Sequence, residues 1–319
     1  MPVSSLREVT LGVSDLHARV RQFETGCGLS VLTSGVISPG ASSRLFDVLT
    51  ASKLAVVGRP DVEGSPRIRL VEVGDLPPIR PGGIATSGPL GIGFTTPVVH
   101  EVFTRLEGLG VQFLSPPVLL TPMRAAQPGG PPPGPERYEA FGRASDGDFI
   151  VLIERRNAQA RYNAISAGCS EPLHVWFVVT NLEACLHFMS DALGHETLLA
   201  EKCSGSPFDS LLGMPPDVSL RFAMTHRPGW PTGRTVFMEF ERKPQPMTQI
   251  PALARGPCRL RYDTTDLDST LARLPGGGGS LVRGPASVDD PVLGQGLVAL
   301  VRAPFGVVIE LWQTQVRLT

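Results

Sequence analysis

The chain has 319 residues, of which 42% are hydrophobic and 18% charged, with 29 Lys and Arg against 30 Asp and Glu. That length leaves room for two domains, and the near-neutral balance argues against a dedicated nucleic-acid binder, which carries a basic excess. No run approaches the roughly 18 consecutive apolar residues of a membrane-spanning helix, so no membrane partner is expected.

The start, Met1-Pro2-Val3-Ser4-Ser5, lacks the basic and apolar regions of a secretory signal. Cys27, Cys169, Cys185, Cys203 and Cys258 are odd in number and widely spaced. This fits reduced, buried thiols in a cytoplasmic protein.

In chain order, residues 6–16 read as a short alternating strand running into a helix, with Leu16, Val20 and Phe23 at i, i+4 and i+7. A strand follows at 67–73. Residues 91–98 repeat the strand, with Thr96 as helix cap, Pro97 at the first helical position, and Val99, Val102, Phe103 and Leu106 as the apolar stripe. Residues 122–137 are dense in Pro and Gly. They read as either a disordered insert or a lid over a site. A strand at 149–154 and a polar linker at 155–170 close this part.

The third copy begins at 173–182, and its helix carries Leu182, Cys185, Leu186, Met189 and Leu193 before Gly194. The fourth begins at 258–267, with Leu267, Leu271 and Leu274 before Pro275 and four glycines. Strands at 235–241 and 307–312 end these copies. Aligning the helix starts pairs Glu8 with His174 and Gly91 with Arg259, at nearly equal offsets. The sequence therefore reads as a duplicated half. Each half holds two βαβββ modules, an α+β class, with an N-terminal domain at 1–157 and a C-terminal domain at 168–319.

The strand–Asp/Asn–helix–Leu-Gly pattern of Val179-Thr180-Asn181-Leu182 and Leu193-Gly194, with Asp146-Gly147 and Ile309-Glu310-Leu311, resembles the vicinal oxygen chelate superfamily. Glyoxalase I, bleomycin- and fosfomycin-resistance proteins and extradiol dioxygenases belong to that group. The resemblance covers nearly the whole chain. It implies modules paired into half-barrels around a concave pocket, one pocket per half.

Strand residues alternate between faces. This parity sends His174, Trp176 and Val178 toward the C-terminal pocket, with Phe237, Glu239 and Glu241, Arg259, Arg261 and Asp263, and Val308, Glu310 and Trp312. The resemblance implies metal ligands on each first and closing strand. Carried over, the second half reads His174, Glu239, Arg259 and Glu310, and the first half Glu8, Arg69, Gly91 and Val151. With Glu8 as its one ligand, the first half is expected to be metal-free.

Two readings stand for the second half. In one, His174, Glu239 and Glu310 hold Fe, Mn, Ni or Zn, and Arg259 grips an anionic substrate. In the other, Arg259 replaces the metal between the two carboxylates and His174 serves as general base or hydrogen-bond donor. Charge balance favours the metal-free version slightly. The bland alternative is a core-filling His174 and Trp176 beside a structural ion network.

In the first half, Glu8, Thr10 and Gly12, and Gly91, Gly93 and Thr95, alternate inward. They leave room for a ligand unless the glycines serve close strand approach, and Arg69 beside Glu8 suits a salt bridge. The candidate catalytic residues are thus His174, Glu310, Arg259 and Glu239. Trp176, Trp312, Arg261, Glu8 and Arg69 are the candidate substrate-binding residues.

What the resemblance implies is a lyase, isomerase or cyclase that stabilises an enolate or oxyanion on a small oxygen-rich or anionic molecule, with dioxygenase chemistry disfavoured by Arg259. The competing reading is a non-catalytic protein that sequesters a metabolite or antibiotic. The charged second pocket leans toward catalysis without deciding it. Monomer and homodimer are equally expected.

Overall fold

A computed structural model describes residues 3–40, 52–79, 84, 86–121, 136–155, 168–215, 218–242, 253–290 and 292–314. The first module comprises β1 (Leu6–Val13), a helix Leu16–Arg21 continued by a π-helical turn Gln22–Gly26, β2 (Ser30–Ile37), β3 (Ser52–Gly58) and β4 (Arg67–Glu72). The second has β5 (Gly88–Thr95), a helix Val99–Gly108, β6 (Gln112–Phe113), β7 (Val118–Leu120), β8 (Arg137–Arg143) and β9 (Phe149–Arg155). The third has β10 (His174–Val178), a helix Leu182–Asp191, β11 (Glu196–Ser204), a short helix Phe208–Leu212, β12 (Ser219–His226) and β13 (Arg234–Phe240). The fourth has β14 (Gly256–Asp263), a helix Leu267–Arg273, β15 (Ser280–Asp290), β16 (Gly294–Arg302) and β17 (Val308–Thr314).

Local chemistry starts the helices. Asp15, Asn181 and Asp266 sit in extended backbone, and their side chains accept from the amides of Ala18, Ala184 and Ser269, as N-caps do. The second module differs from expectation. Its helix begins at Val99, and Thr96 makes no cap bond to it. Instead the Val99 amide donates to Glu154 Oε2 on the closing strand, at 2.8 Å. The same device recurs at the Leu267 amide, which donates to Gln313 Oε1 at 2.7 Å.

The strands form two sheets. One runs β15-β16-β17-β14-β1-β4-β3-β2 and the other β11-β12-β13-β10-β5-β9-β8-β6, with β7 paired to β8. Each sheet thus joins two modules through their first strands, antiparallel: β1 with β14, and β5 with β10. This corrects the expected pairing. The halves 1–157 and 168–319 do not close on themselves; the first module pairs with the fourth and the second with the third. The reason is physical. Every first strand presents the same unpaired edge, and nothing in its local sequence says which of three similar edges it will meet.

The helices pack on one side of each sheet in a continuous core that includes Val9, Leu11, Phe94, Val102, Phe177, Phe188, Phe237, Leu260 and Ile309. All five cysteines are free and buried. No described helix is long and apolar enough to cross a membrane. The Pro/Gly-dense segment, read as insert or lid, falls almost wholly outside the described residues, as does most of the 155–170 linker.

Candidate functional site

The opposite side of each sheet is concave, and strand register identifies the residues on its floor. In the first sheet Thr10 lies opposite Arg69, and Arg261 opposite Glu310. In the second, Gly93 lies opposite Val151 and Trp176 opposite Val236. The equivalent closing-strand positions are therefore Arg69, Val151, Val236 and Glu310. The equivalent first-strand positions are Glu8, Gly91, His174 and Arg259.

The first concavity is an ion network. Arg69 Nε lies 2.8 Å from Glu8 Oε1, and Arg69 Nη1 lies 2.5 Å from Asp290 Oδ2. Arg259 Nη1 lies 3.2 Å from Glu310 Oε2. All five side chains are buried. Burial works against the Arg69 charge, but Glu8 and Asp290 outweigh it and raise its pKa. Burial also resists ionisation of Asp290, yet Arg69 and the Val292 and Leu293 amides hold its carboxyl below the ordinary value. Burial lowers the Arg259 pKa while Glu310 opposes it. Arg261 Nε stands 3.8 Å from Asp263 Oδ1, and Trp312 is buried with its indole over Gly296.

Divalent metal does not fit this donor set. Glu8 Oε2 and Glu310 Oε1 lack hydrogen-bond partners among the described residues, so acceptor capacity remains. A cation there would nonetheless sit against Arg69 and Arg259, which carry permanent charge and no lone pair to give. No group of three His, Cys, Asp or Glu able to hold a metal occurs among the described residues.

The second concavity is aromatic and nearly free of acid on its floor. His174 is buried, and neither ring nitrogen has a hydrogen-bond partner among the described residues; the same holds for Trp176 Nε1 and Thr95 Oγ1. Burial first, then the fields of Arg234, Arg155 and Arg137, push the His174 pKa well below its ordinary value. The imidazole is thus neutral at pH 7, with one donor and one acceptor.

Trp176 meets Phe141 edge-on at 5.4 Å between centroids, His174 at 6.1 Å and Phe222 at 5.9 Å. Phe149, Val151, Met224, Val236, Met238 and Phe240 belong to the same apolar cluster, and the short helix Phe208–Leu212 packs against β7, β8 and β11 beside it. Arg137 Nε pairs with Glu139 Oε1 at 2.5 Å near the rim.

The proposed quartet does not assemble. Arg259 and Glu310 come together, but with Glu8 and Arg69. His174 and Trp176 lie on the other sheet. Glu239 points away from either concavity: its Oε1 accepts from the Leu182 amide at 3.4 Å, and its Oε2 accepts from Arg221 Nε at 2.8 Å. The metal triad His174, Glu239 and Glu310 is therefore corrected.

The error is one of register. Glu239 stands three residues beyond Val236, as Glu154 does beyond Val151 and Gln313 beyond Glu310. An odd step places it on the helix face, where all three accept from a helix-start amide. Phe237 likewise joins the helix-side core.

The glycine reading also changes. A Cβ on Gly12 would meet Ala254 O at 2.0 Å and one on Gly91 would meet Phe149 O at 1.9 Å, so both serve close backbone approach. At Gly93 the added atom would lie 2.7 Å from Trp176 Nε1, so here the missing side chain makes room for the indole. Asp290 carries no sequence signal for its role. It ends β15, and only the folded hairpin brings it to Arg69.

No protein-family model matches the chain, and no curated protein does. Solved structures do match. Glyoxalase I from Zea mays superposes with a TM-score of 0.62 at 16% identity, covering 97% of this chain and 92% of that one. A point mutant of the same enzyme gives a TM-score of 0.67 at 16% identity with the same coverage. A candidate dioxygenase from Bacillus subtilis subsp. subtilis str. 168 gives 0.58 at 12% identity, covering 98% and 86%. At these identities the likeness concerns the fold: the chain has the two-sheet, four-module fold of the vicinal oxygen chelate superfamily.

Proposed function

We propose that the chain binds a small, planar, largely apolar molecule in the second concavity, through an oxygen that pairs with His174 and Trp176, and without a metal. The observation that carries this reading is the set of buried polar atoms at its floor without a partner among the described residues: both His174 nitrogens, Trp176 Nε1 and Thr95 Oγ1. Leaving such groups unpaired costs about 1–3 kcal/mol each, and a ligand oxygen would satisfy two at once. Apolar walls with a few convergent polar groups are the usual make-up of a small-molecule site. The first concavity supports ligand chemistry less well, because Arg69 and Arg259 already hold Glu8, Asp290 and Glu310.

The neutral imidazole also suits a general base, which is what isomerase or lyase chemistry would need. Titration with 2-naphthol and acetophenone, followed by the indole N–H resonances, tests both readings. A shifted Trp176 signal in the native chain, lost in His174→Ala, supports binding. Unchanged affinity together with unchanged turnover in that variant would remove His174 from the site. Turnover lost in His174→Ala with affinity kept would carry the catalytic reading.

A further inference from the structure

We infer that the seam between the two sheets holds a second ligand site, for a small aromatic anion. A cleft of about 590 Å³ opens there, away from both concavities. It is lined by Arg7 of the first module, Arg227 and Trp230 of the third, and Asp263, Thr265 and Gln313 of the fourth. Three modules build it, so it exists only because the modules pair across the halves.

Its charges are unequal. Arg7 Nε is balanced by Asp263 Oδ2 at 3.1 Å. Arg227 gives Nη1 to the Gly194 carbonyl oxygen at 2.9 Å and has no carboxylate partner among the described residues. One guanidinium in the cleft therefore has no counter-ion among the described residues, and its planar fork suits a carboxylate or phosphate. Trp230 is 39% exposed, a large apolar surface left in contact with water. Arg7 lies over its ring at 5.5 Å, which fixes the indole as a platform. A flat ring on Trp230 with its anionic group on Arg227 satisfies both features, and Thr265 and Gln313 offer polar contacts at the edge. The indoles of Trp176 and Trp312 are buried, so Trp230 is the accessible one of the three.

Calorimetric titration of the full chain with 2-naphthoate, 2-naphthyl phosphate and 2-naphthylmethanol tests the site. One equivalent of at least one anion binds, the tighter of the two naming the group recognised, and in His174→Ala, where the concavity is impaired, the alcohol binds at least tenfold more weakly than that anion. Arg227→Met and Trp230→Ala each weaken the anion at least tenfold, and His174→Ala leaves it within twofold. Failure of both anions to bind, equal binding of the alcohol in His174→Ala, or full affinity in folded Arg227→Met and Trp230→Ala overturns the site. Loss in His174→Ala also overturns it, because the anion would then be reporting on the concavity.

Discussion

Arg69 closes on Asp290 across the first concavity, Nη1 to Oδ2 at 2.5 Å and Nη2 to Oδ1 at 3.3 Å, although 221 residues separate them in sequence. The pair ties β4 of the first module to the end of β15 in the fourth. It acts as a clasp between modules that share one sheet. Arg69→Met would leave Glu8 and Asp290 as buried, uncompensated charges. Removing one partner of a buried pair costs about 3–5 kcal/mol, so the urea midpoint falls strongly while the Trp176 indole environment in the other sheet is retained. A midpoint unchanged within error would refute the clasp.

Asp290 also sets an acid limit. Its folded pKa lies below the ordinary value, so between the two values the unfolded chain binds more protons than the folded one. Stability therefore rises with pH through that window and is complete above the unfolded value of about 3.9. It is lost as pH falls through the folded pKa. Denaturation curves from pH 2 to 6 should show a steeper acid loss in the native chain than in Asp290→Asn, which has no proton to bind at that position. Parallel slopes would count against it.

The repeat and the strand starts were legible in the sequence because each depends on residues a few positions apart, whereas the cap expected at Thr96 is replaced by Glu154 from a distant strand. Module pairing was not, since β1, β5, β10 and β14 offer chemically similar edges. Parity was legible within a strand but not its phase. Glu310 pairs with Arg259, yet Glu239, with a similar look, sits one odd step away on the helix face. Arg69 and Glu8 were paired in the sequence reading, and Asp290 was invisible because a long hairpin delivers it.

That difference of phase makes a prediction. Glu239→Ala removes the acceptor for the Leu182 amide and the partner of Arg221. Loss of a helix cap costs about 0.5–2 kcal/mol, so the thermal midpoint drops by a few degrees. Ligand affinity at His174 stays within twofold. A tenfold loss of affinity without loss of stability would return Glu239 to the site.

The two buried histidines give stability a second pH dependence. Burial pushes His195 down to about 4, against its bond to the Ser4 carbonyl oxygen, and lowers His174 well below the ordinary value. Both bind protons more readily when unfolded. Stability is thus complete above the unfolded value of about 6.5 and declines as pH falls from there toward the folded values. The imidazole C–H resonances of His195 should stay near their neutral positions down to pH 5, and those of His174 should titrate well below the ordinary value. His195→Ala should flatten the decline between pH 6.5 and 4. A His174 resonance that titrates near 6.5 would contradict its neutral, desolvated state.

Gly91 and Gly93 separate structure from site. At Gly91 an added Cβ would strike the Phe149 carbonyl oxygen at 1.9 Å, a backbone atom of the paired strand. Neither strand can give way without breaking the ladder. At Gly93 the Cβ would strike Trp176 Nε1 at 2.7 Å and approach His174 Nδ1 at 3.3 Å, both side-chain atoms. The indole can tilt, at the about 1–3 kcal/mol typical of overpacking. Gly93→Ala should therefore stay folded, change the near-ultraviolet circular dichroism of the tryptophans, and weaken binding of the 2-naphthol probe at least tenfold. Gly91→Ala should lose more stability than Gly93→Ala. If Gly93→Ala keeps its tryptophan signal and its affinity, His174 and Trp176 do not form the floor of a ligand site.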